Sequence, residues 1–189
     1  WLNLEFANDS SNPFSASDNL KLYVGNNLLT EFTISNENRQ IKQYAFANVK
    51  SLSKIYIPNT INSFGRNAFI NCLVDVYITD ADAWATCNFE NAESNPINKS
   101  GNVYLNGVKL IDLSIQLATE IKPYAFYNCK NIETVVTGSQ LKKVGDYAFY
   151  NNTALKSVDA GSVETIGSFA FAECVSLSSI DIEGATKIY

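Results

Sequence analysis

Histidine is absent from the 189 residues, and that absence removes Ser-His-Asp, Cys-His and histidine-ligated metal chemistry together. Basic residues are also few: 14 Lys and Arg stand against 19 Asp and Glu, for a formal net charge of −5. Nucleic-acid binding is driven by cations that displace counterions from the phosphate backbone, so this balance argues against a nucleic-acid partner. No apolar run approaches the roughly 18 to 20 residues that cross a bilayer, so no membrane insertion is expected. The four cysteines, Cys72, Cys87, Cys129 and Cys174, show no CxxC spacing, which leaves zinc and thioredoxin-like sites without ligands. Methionine is missing too, and the chain opens on Trp1 without a signal-peptide pattern; the expectation is a fragment whose targeting segment lies outside it.

What is present is apolar and aromatic material in a repeating order. Hydrophobic residues make up 46% of the chain and charged ones 17%, the balance of a folded protein. An Ala-Phe pair recurs at Phe46, Phe69, Phe126, Phe149 and Phe171, with separations of 23, 57, 23 and 22 residues. A period of about 22 to 23 residues lies in the range of solenoids. A second pattern follows the Phe, an apolar residue with others at +3 and +5: Leu52-Ile55-Ile57, Leu73-Val76-Ile78, Ile132-Val135-Thr137, Leu155-Val158-Ala160 and Leu177-Ile180-Ile182. Leu29-Phe32-Ile34 and Leu110-Leu113-Ile115 complete the set. The alternation predicts one short, half-buried strand per repeat.

The long gap is itself repeated. Trp84, Asn95-Pro96 and Val103-Tyr104-Leu105-Asn106-Gly107 match Trp1, Asn12-Pro13 and Leu22-Tyr23-Val24-Gly25-Asn26. Asn106-Gly107 and Gly25-Asn26 are hairpin-tip signals, so hairpin-bearing variant turns are expected at about 1–28 and 84–109. With Trp1 and Trp84 standing in for the Phe, seven aromatic anchors are each followed by one strand. The expected domain organisation is a single solenoid over 1–189, about seven turns, cut from a longer array at both ends.

Several positions have a structural reading. Gly65, Gly145 and Gly167, four before the Phe, suggest a turn with positive φ. Asn48, Asn71, Asn128 and Asn151, two after it, suggest a structural asparagine ladder. Cys72, Cys129 and Cys174 share one repeat position and read as buried thiols; Cys72–Cys87 is the single bridge the spacing leaves open. Sequons at Asn8, Asn98 and Asn151 support no inference of glycosylation in a chain so rich in Asn, Ser and Thr.

The repeat resembles the BspA-like leucine-rich repeats, whose unit runs Ile-x-x-x-Ala-Phe-x-x-Cys-x-x-Leu-x-x-Ile-x-Ile-Pro. The copy Ile166 to Ile182, with Ala170-Phe171, Cys174, Leu177 and Ile180, follows it almost position by position. Val49 and Asn152 depart from the Cys, and only Ile57-Pro58 keeps the Pro. The resemblance implies a leucine-rich-repeat solenoid, mostly β, with one short parallel strand per turn and short helical or turn segments on the convex side. It also implies an extracellular or cell-surface-anchored binding module, monomeric and non-enzymatic, adhering to host extracellular-matrix or cell-surface protein or to another microbial surface.

Outward strand positions should line up across turns. One row reads Thr33, Tyr56, Tyr77, Ser114, Val136, Asp159, Asp181, and the row before it includes Asp75 and Asp112. Stacked Tyr56 and Tyr77 beside Asp75 and Asp112 would make a binding hot spot, because tyrosine offers large contact area at low entropy cost, and Asp159 and Asp181 extend the candidate ligand-binding face. Asp159 with Asp181 could be drawn as a glycosidase dyad, but an open sheet offers neither a pocket nor the asymmetry that separates two carboxyl pKa values. Catalytic, metal and cofactor sites are therefore not expected. Two other readings stay open: a structural spacer within a larger surface protein, and a carbohydrate-binding surface formed by tyrosine stripes including Tyr44, Tyr124, Tyr127, Tyr147 and Tyr150.

Overall fold

The structure, a computed structural model, describes residues 4, 6–16 and 20–189. Trp1, the anchor expected for the first variant turn, lies outside the described residues. The chain winds as a parallel β-solenoid of about seven turns with little helix. The longer strands stack in two sheets. One holds Glu31–Thr33, Lys54–Ile57, Asp75–Ile78 and Val103–Leu105 in parallel, closed by antiparallel Val108–Lys109. The other holds Asp112–Ile115, Thr134–Thr137, Ser157–Asp159 and Ser179–Asp181.

Each regular turn also carries a second, two-residue strand, such as Gln40–Ile41, Ser63–Phe64 or Lys143–Val144, that stacks on its counterparts in further parallel ladders. The sequence signal for it was the apolar residue five before the Phe, too short a run to show alternation. Among the described residues α-helix is confined to Ala81–Ala85, capped by the Asp80 carboxylate on Ala83 N–H at 2.9 Å, and Ile97–Ser100, both at the second variant turn.

The core is a set of ladders. Phe46 stacks on Phe69 at 5.0 Å between ring centroids, and Phe126, Phe149 and Phe171 stack in sequence at 5.3 Å per step. Between these runs Trp84 takes the anchor place, buried edge-on against Phe64, its indole N–H donating to Ala125 O at 2.7 Å. The two Asn-Pro motifs do equivalent work. Buried Asn12 and Asn95 each donate to the carbonyl of the next anchor's tyrosine, Tyr44 O and Tyr124 O, at 2.7 Å. Such bonds satisfy carbonyls where an irregular turn cannot supply a ladder partner.

Backbone geometry corrects the expected role of the glycines. Gly65, Gly145 and Gly167 do not have positive φ. A Cβ at Gly65 would stand 2.5 Å from Gln43 N, and one at Gly145 2.5 Å from Pro123 N, so the constraint is close approach of successive turns. Lys122 takes this place after the second variant turn, where its N–H reaches Ala85 O of the short helix at 2.8 Å. Left-handed residues flank the Phe. Tyr44, Asn67, Tyr124, Tyr147 and Phe169, two before it, have φ between 55° and 64°. Asn48, Asn71, Asn128, Asn151 and Glu173, two after it, lie between 56° and 61°. Asparagine tolerates this region best among residues with a Cβ. Its side chains also bond one another across turns, Asn71 to Asn48 at 3.0 Å and Asn151 to Asn128 at 2.7 Å.

Cys72 and Cys87 are unbridged and buried, as are Cys129 and Cys174. Three of the thiols donate to carbonyls of neighbouring turns, Cys174 to Phe149 O at 3.1 Å, Cys87 to Ile61 O at 3.2 Å and Cys72 to Val49 O at 3.5 Å, whereas Cys129 donates to the Asn131 side-chain oxygen at 3.6 Å. Asn152 fills the same repeat position by donating to Phe126 O and Phe149 O at 2.8 Å. The position selects a small buried side chain: Val49 also fills it, and where the residue is Asn152 its amide is satisfied by those carbonyls.

A tyrosine ladder and the groove beside it

The register of the first sheet aligns Thr33, Tyr56, Tyr77 and Tyr104 in one outward row. Alternation forces this: Ile55, Ile57, Val76, Ile78 and Val103 point inward and are buried, so the residues between them face out. Tyr56 and Tyr77 stack at 4.7 Å with rings 30° apart, and Tyr77 and Tyr104 at 4.5 Å and 9°. Tyr104 was missed in the sequence, where it belonged to a hairpin arm. That arm's first strand in fact pairs with Asp75–Ile78 and extends the row. A usable signal was present in Val103-Tyr104-Leu105, which alternates as the Val76-Tyr77-Ile78 segment does.

At the C-terminal ends of these strands lies a groove of about 710 Å³, floored by Tyr56, Tyr77 and Pro58 and walled by the Ser35–Glu37 loop and the Asn106-Gly107 hairpin tip. At the other end of the strands, Glu31 pairs with Lys54 at 2.7 Å and accepts from the Tyr56 hydroxyl at 3.4 Å. The hydrogen bond from Lys54 holds the Glu31 carboxyl below the usual carboxylate range, and Glu31 raises Lys54 in turn. Asp75 accepts from the Asn102 side chain at 2.9 Å, which fixes it beside the ladder.

Asp112, Asp159 and Asp181 lie elsewhere. The Val108–Lys109 hairpin strand ends the first sheet, and Asp112 opens the second, where it accepts from Thr134 Oγ1 at 2.6 Å. Asp159 and Asp181 are register partners in that sheet, with Val136 and Ser114 continuing their row. The expected group of Tyr56, Tyr77, Asp75 and Asp112 is thus divided: three members share a sheet and the fourth does not. The join between sheets is made by buried Asn131, which accepts from Val103 N–H at 3.0 Å and donates to Val103 O at 3.2 Å and to Leu110 O. Asp82 supports the same junction by accepting from the N–H groups of Leu117 and Ala118, both at 2.8 Å.

A second aromatic cluster occupies the turn face of the C-terminal half. Tyr124, Tyr147 and Phe169 stack at 5.4 and 5.1 Å, and Tyr127 stacks on Tyr150 at 5.2 Å. Burial, followed by the neighbouring tyrosines, pushes the Tyr124 and Tyr127 hydroxyls above their ordinary pKa. Among the described residues, no group of three or more His, Cys, Asp and Glu is placed to hold a metal ion. Nor is any helix among them long and apolar enough to cross a membrane.

Stacked turns of one design, a continuous core ladder and an aromatic row on one strand face define a repeat solenoid of the binding-scaffold type. The chain belongs to the BspA type leucine rich repeat family, whose pattern matches six copies over residues 19–83 and 119–189. The interval between those two matches is the variant turn that contributes Tyr104. Among solved structures, it is similar to the T. pallidum leucine rich repeat protein, with 16% identity over 85% of this chain and 73% of that one and a TM-score of 0.48. It is also similar to a leucine rich cell surface protein of Faecalibacterium prausnitzii, with 14% identity over 84% of this chain and 60% of that one and a TM-score of 0.37. A third is a leucine-rich repeat protein of Eubacterium ventriosum, with 12% identity over 98% of this chain and 78% of that one and a TM-score of 0.35. No curated protein matches the sequence.

Proposed function

We propose that this chain is a non-enzymatic, cell-surface binding module of the adhesin type, which takes a host matrix or cell-surface protein on the face bearing Tyr56, Tyr77 and Tyr104. The observation that carries this reading is the continuous three-ring ladder flanking a groove of about 710 Å³. Half-buried tyrosines held by their neighbours lose little freedom on binding, which is the property of interface anchors. The stacking also favours protein over sugar. Rings stacked face to face at 4.5 to 4.7 Å spend their faces on one another and offer edges and hydroxyls, whereas a sugar platform needs free ring faces.

Replacing Tyr56 and Tyr77 together with Ser tests the assignment. Both rings point out of the core, so the variant is expected to keep its fold by circular dichroism and to lose capture of matrix proteins in a solid-phase panel. Undiminished capture by the folded variant would remove this face from the binding mechanism.

A further inference from the structure

Alone among the asparagines of the chain, Asn106 is followed by glycine. The pair forms the tip of the second hairpin, where Leu105 and Val108 close a two-residue loop and both tip residues are left-handed, with φ of 50° and 83°. Both are exposed, and a Cβ at Gly107 would find nothing within 4 Å. The backbone N–H of Asn106 donates to Ile78 O at 3.0 Å. Among the described residues, its side-chain amide and the Gly107 N–H have no partner. A side-chain amide carbon thus lies one residue before a backbone nitrogen that is neither paired nor shielded by a side chain.

We propose that Asn106 is a spontaneous deamidation site of the folded protein, where the hairpin tip converts to aspartate and isoaspartate. The Gly107 nitrogen gives up its proton to solvent base and attacks Asn106 Cγ. The new C–N bond closes a five-membered succinimide as the side-chain nitrogen departs as ammonia. Water then opens the ring. Cleavage between Cγ and the nitrogen returns an ordinary aspartate, whereas cleavage at the main-chain carbonyl leaves the chain running through Cγ, with one extra main-chain atom. Either route consumes one water, releases one ammonia and adds one negative charge, with no change of oxidation state.

Glycine matters because it brings no Cβ to obstruct the approach of its nitrogen to Cγ. The attack requires rotation of Asn106 ψ out of the left-handed well, so the tip must open locally. Its outer strand, Val108–Lys109, is two exposed residues at the sheet edge, which keeps the free energy of that opening low. Rotation about ψ also leaves the bond from Asn106 N–H to Ile78 O in place. Other asparagines lack one of these conditions. In the first hairpin the order is reversed, and Asn26 is followed by Asn27, which carries a Cβ. Asn62 precedes small Ser63, but Ser63 is held between Gln40 and Asn88 in a parallel ladder. The modified tip walls the groove, while the chemistry is independent of what the groove binds.

The test incubates the folded protein in mildly alkaline buffer and follows each asparagine by peptide mapping with mass spectrometry, with isoaspartate read by enzymatic methylation. Asn106 is expected to lose its amide before any other asparagine, with isoaspartate appearing in the same peptide while Asn26 and Asn62 keep theirs. Asn106→Gly leaves a Gly-Gly pair that suits the same turn and should abolish the early methylation signal. The map of the unsubstituted protein decides the matter even if that variant misfolds. Earlier conversion of another asparagine would overturn the inference. So would an Asn106 amide that persists in the folded protein over a time in which the guanidinium-unfolded chain loses it.

Discussion

Residues 31–109 and residues 112–181 share the Phe anchor, the inward strand residues and the left-handed turns, yet they place their aromatic residues on different faces. In the first region the rings stand on the long strands as Tyr56, Tyr77 and Tyr104. In the second the long strands show Ser114, Val136, Asp159 and Asp181, and the rings move to the turn face as Tyr124, Tyr127, Tyr147, Tyr150 and Phe169. Inward positions are held by packing and cannot vary much without leaving a cavity. Outward positions are free to differ, so a solenoid can carry one binding face and one merely stacked face on the same backbone.

The largest expected effect tests whether the halves share one core. Phe149 is fully buried between Phe126 and Phe171, so Phe149→Ala should cost about 3 to 5 kcal/mol in urea unfolding. A loss below about 1 kcal/mol would show that the second region does not depend on its ladder. Cutting the junction should come next. Asn131→Ala leaves the N–H of Val103 and the carbonyls of Val103 and Leu110 without their bridging side chain, at about 1 to 3 kcal/mol for each buried group left unsatisfied. In a Trp1→Phe background, which leaves Trp84 as the sole tryptophan, unfolding followed by fluorescence and by far-ultraviolet circular dichroism should then separate into two transitions; coincident curves would mean that the sheets are coupled by other contacts.

A smaller contrast comes from the thiols. Burial pushes Cys72 and Cys87 up to about 12 and Cys129 to about 11, and raises Cys174 as well. A thiol whose folded pKa exceeds its unfolded one holds its proton in the fold after the unfolded chain has lost it. The resulting stability is complete below the unfolded value, near 8.5, and is lost as pH rises through the folded values near 11 and 12. The melting temperature should therefore fall by several degrees between pH 8 and pH 11. Replacing Cys72 and Cys87 with Ala should flatten that fall; an unchanged fall would show that the buried thiols do not set it.

The regular turns were legible in the sequence because each core position repeats. Phe46, Ile55 and Ile57 announce the same environment as Phe149, Val158 and Ala160, and the structure buries all six. What was not legible depended on the neighbouring turn. Gly65 looked like a residue with unusual φ, but its constraint is the backbone of Gln43, in the preceding turn. The tyrosine pair was predicted from two aligned strands, whereas its third member and the separation of Asp112 follow from how the variant turn docks.

The two hairpins mark the division most clearly. Gly25-Asn26 and Asn106-Gly107 each turn a hairpin, as their left-handed or flexible tip residues dictate locally. Tyr23 and Tyr104 occupy matching places in them. Among the described residues Tyr23 pairs only within its own hairpin, and it is 52% exposed, whereas Tyr104 lies against Tyr77 and completes the ladder. The repeat, the inward residues and the hairpins follow from short-range periodicity and turn chemistry, which any one turn carries in its own residues. Which outward residues meet depends on the docking of turns, because a stack of rings and the groove beside it require a neighbouring turn in register at about 4.8 Å.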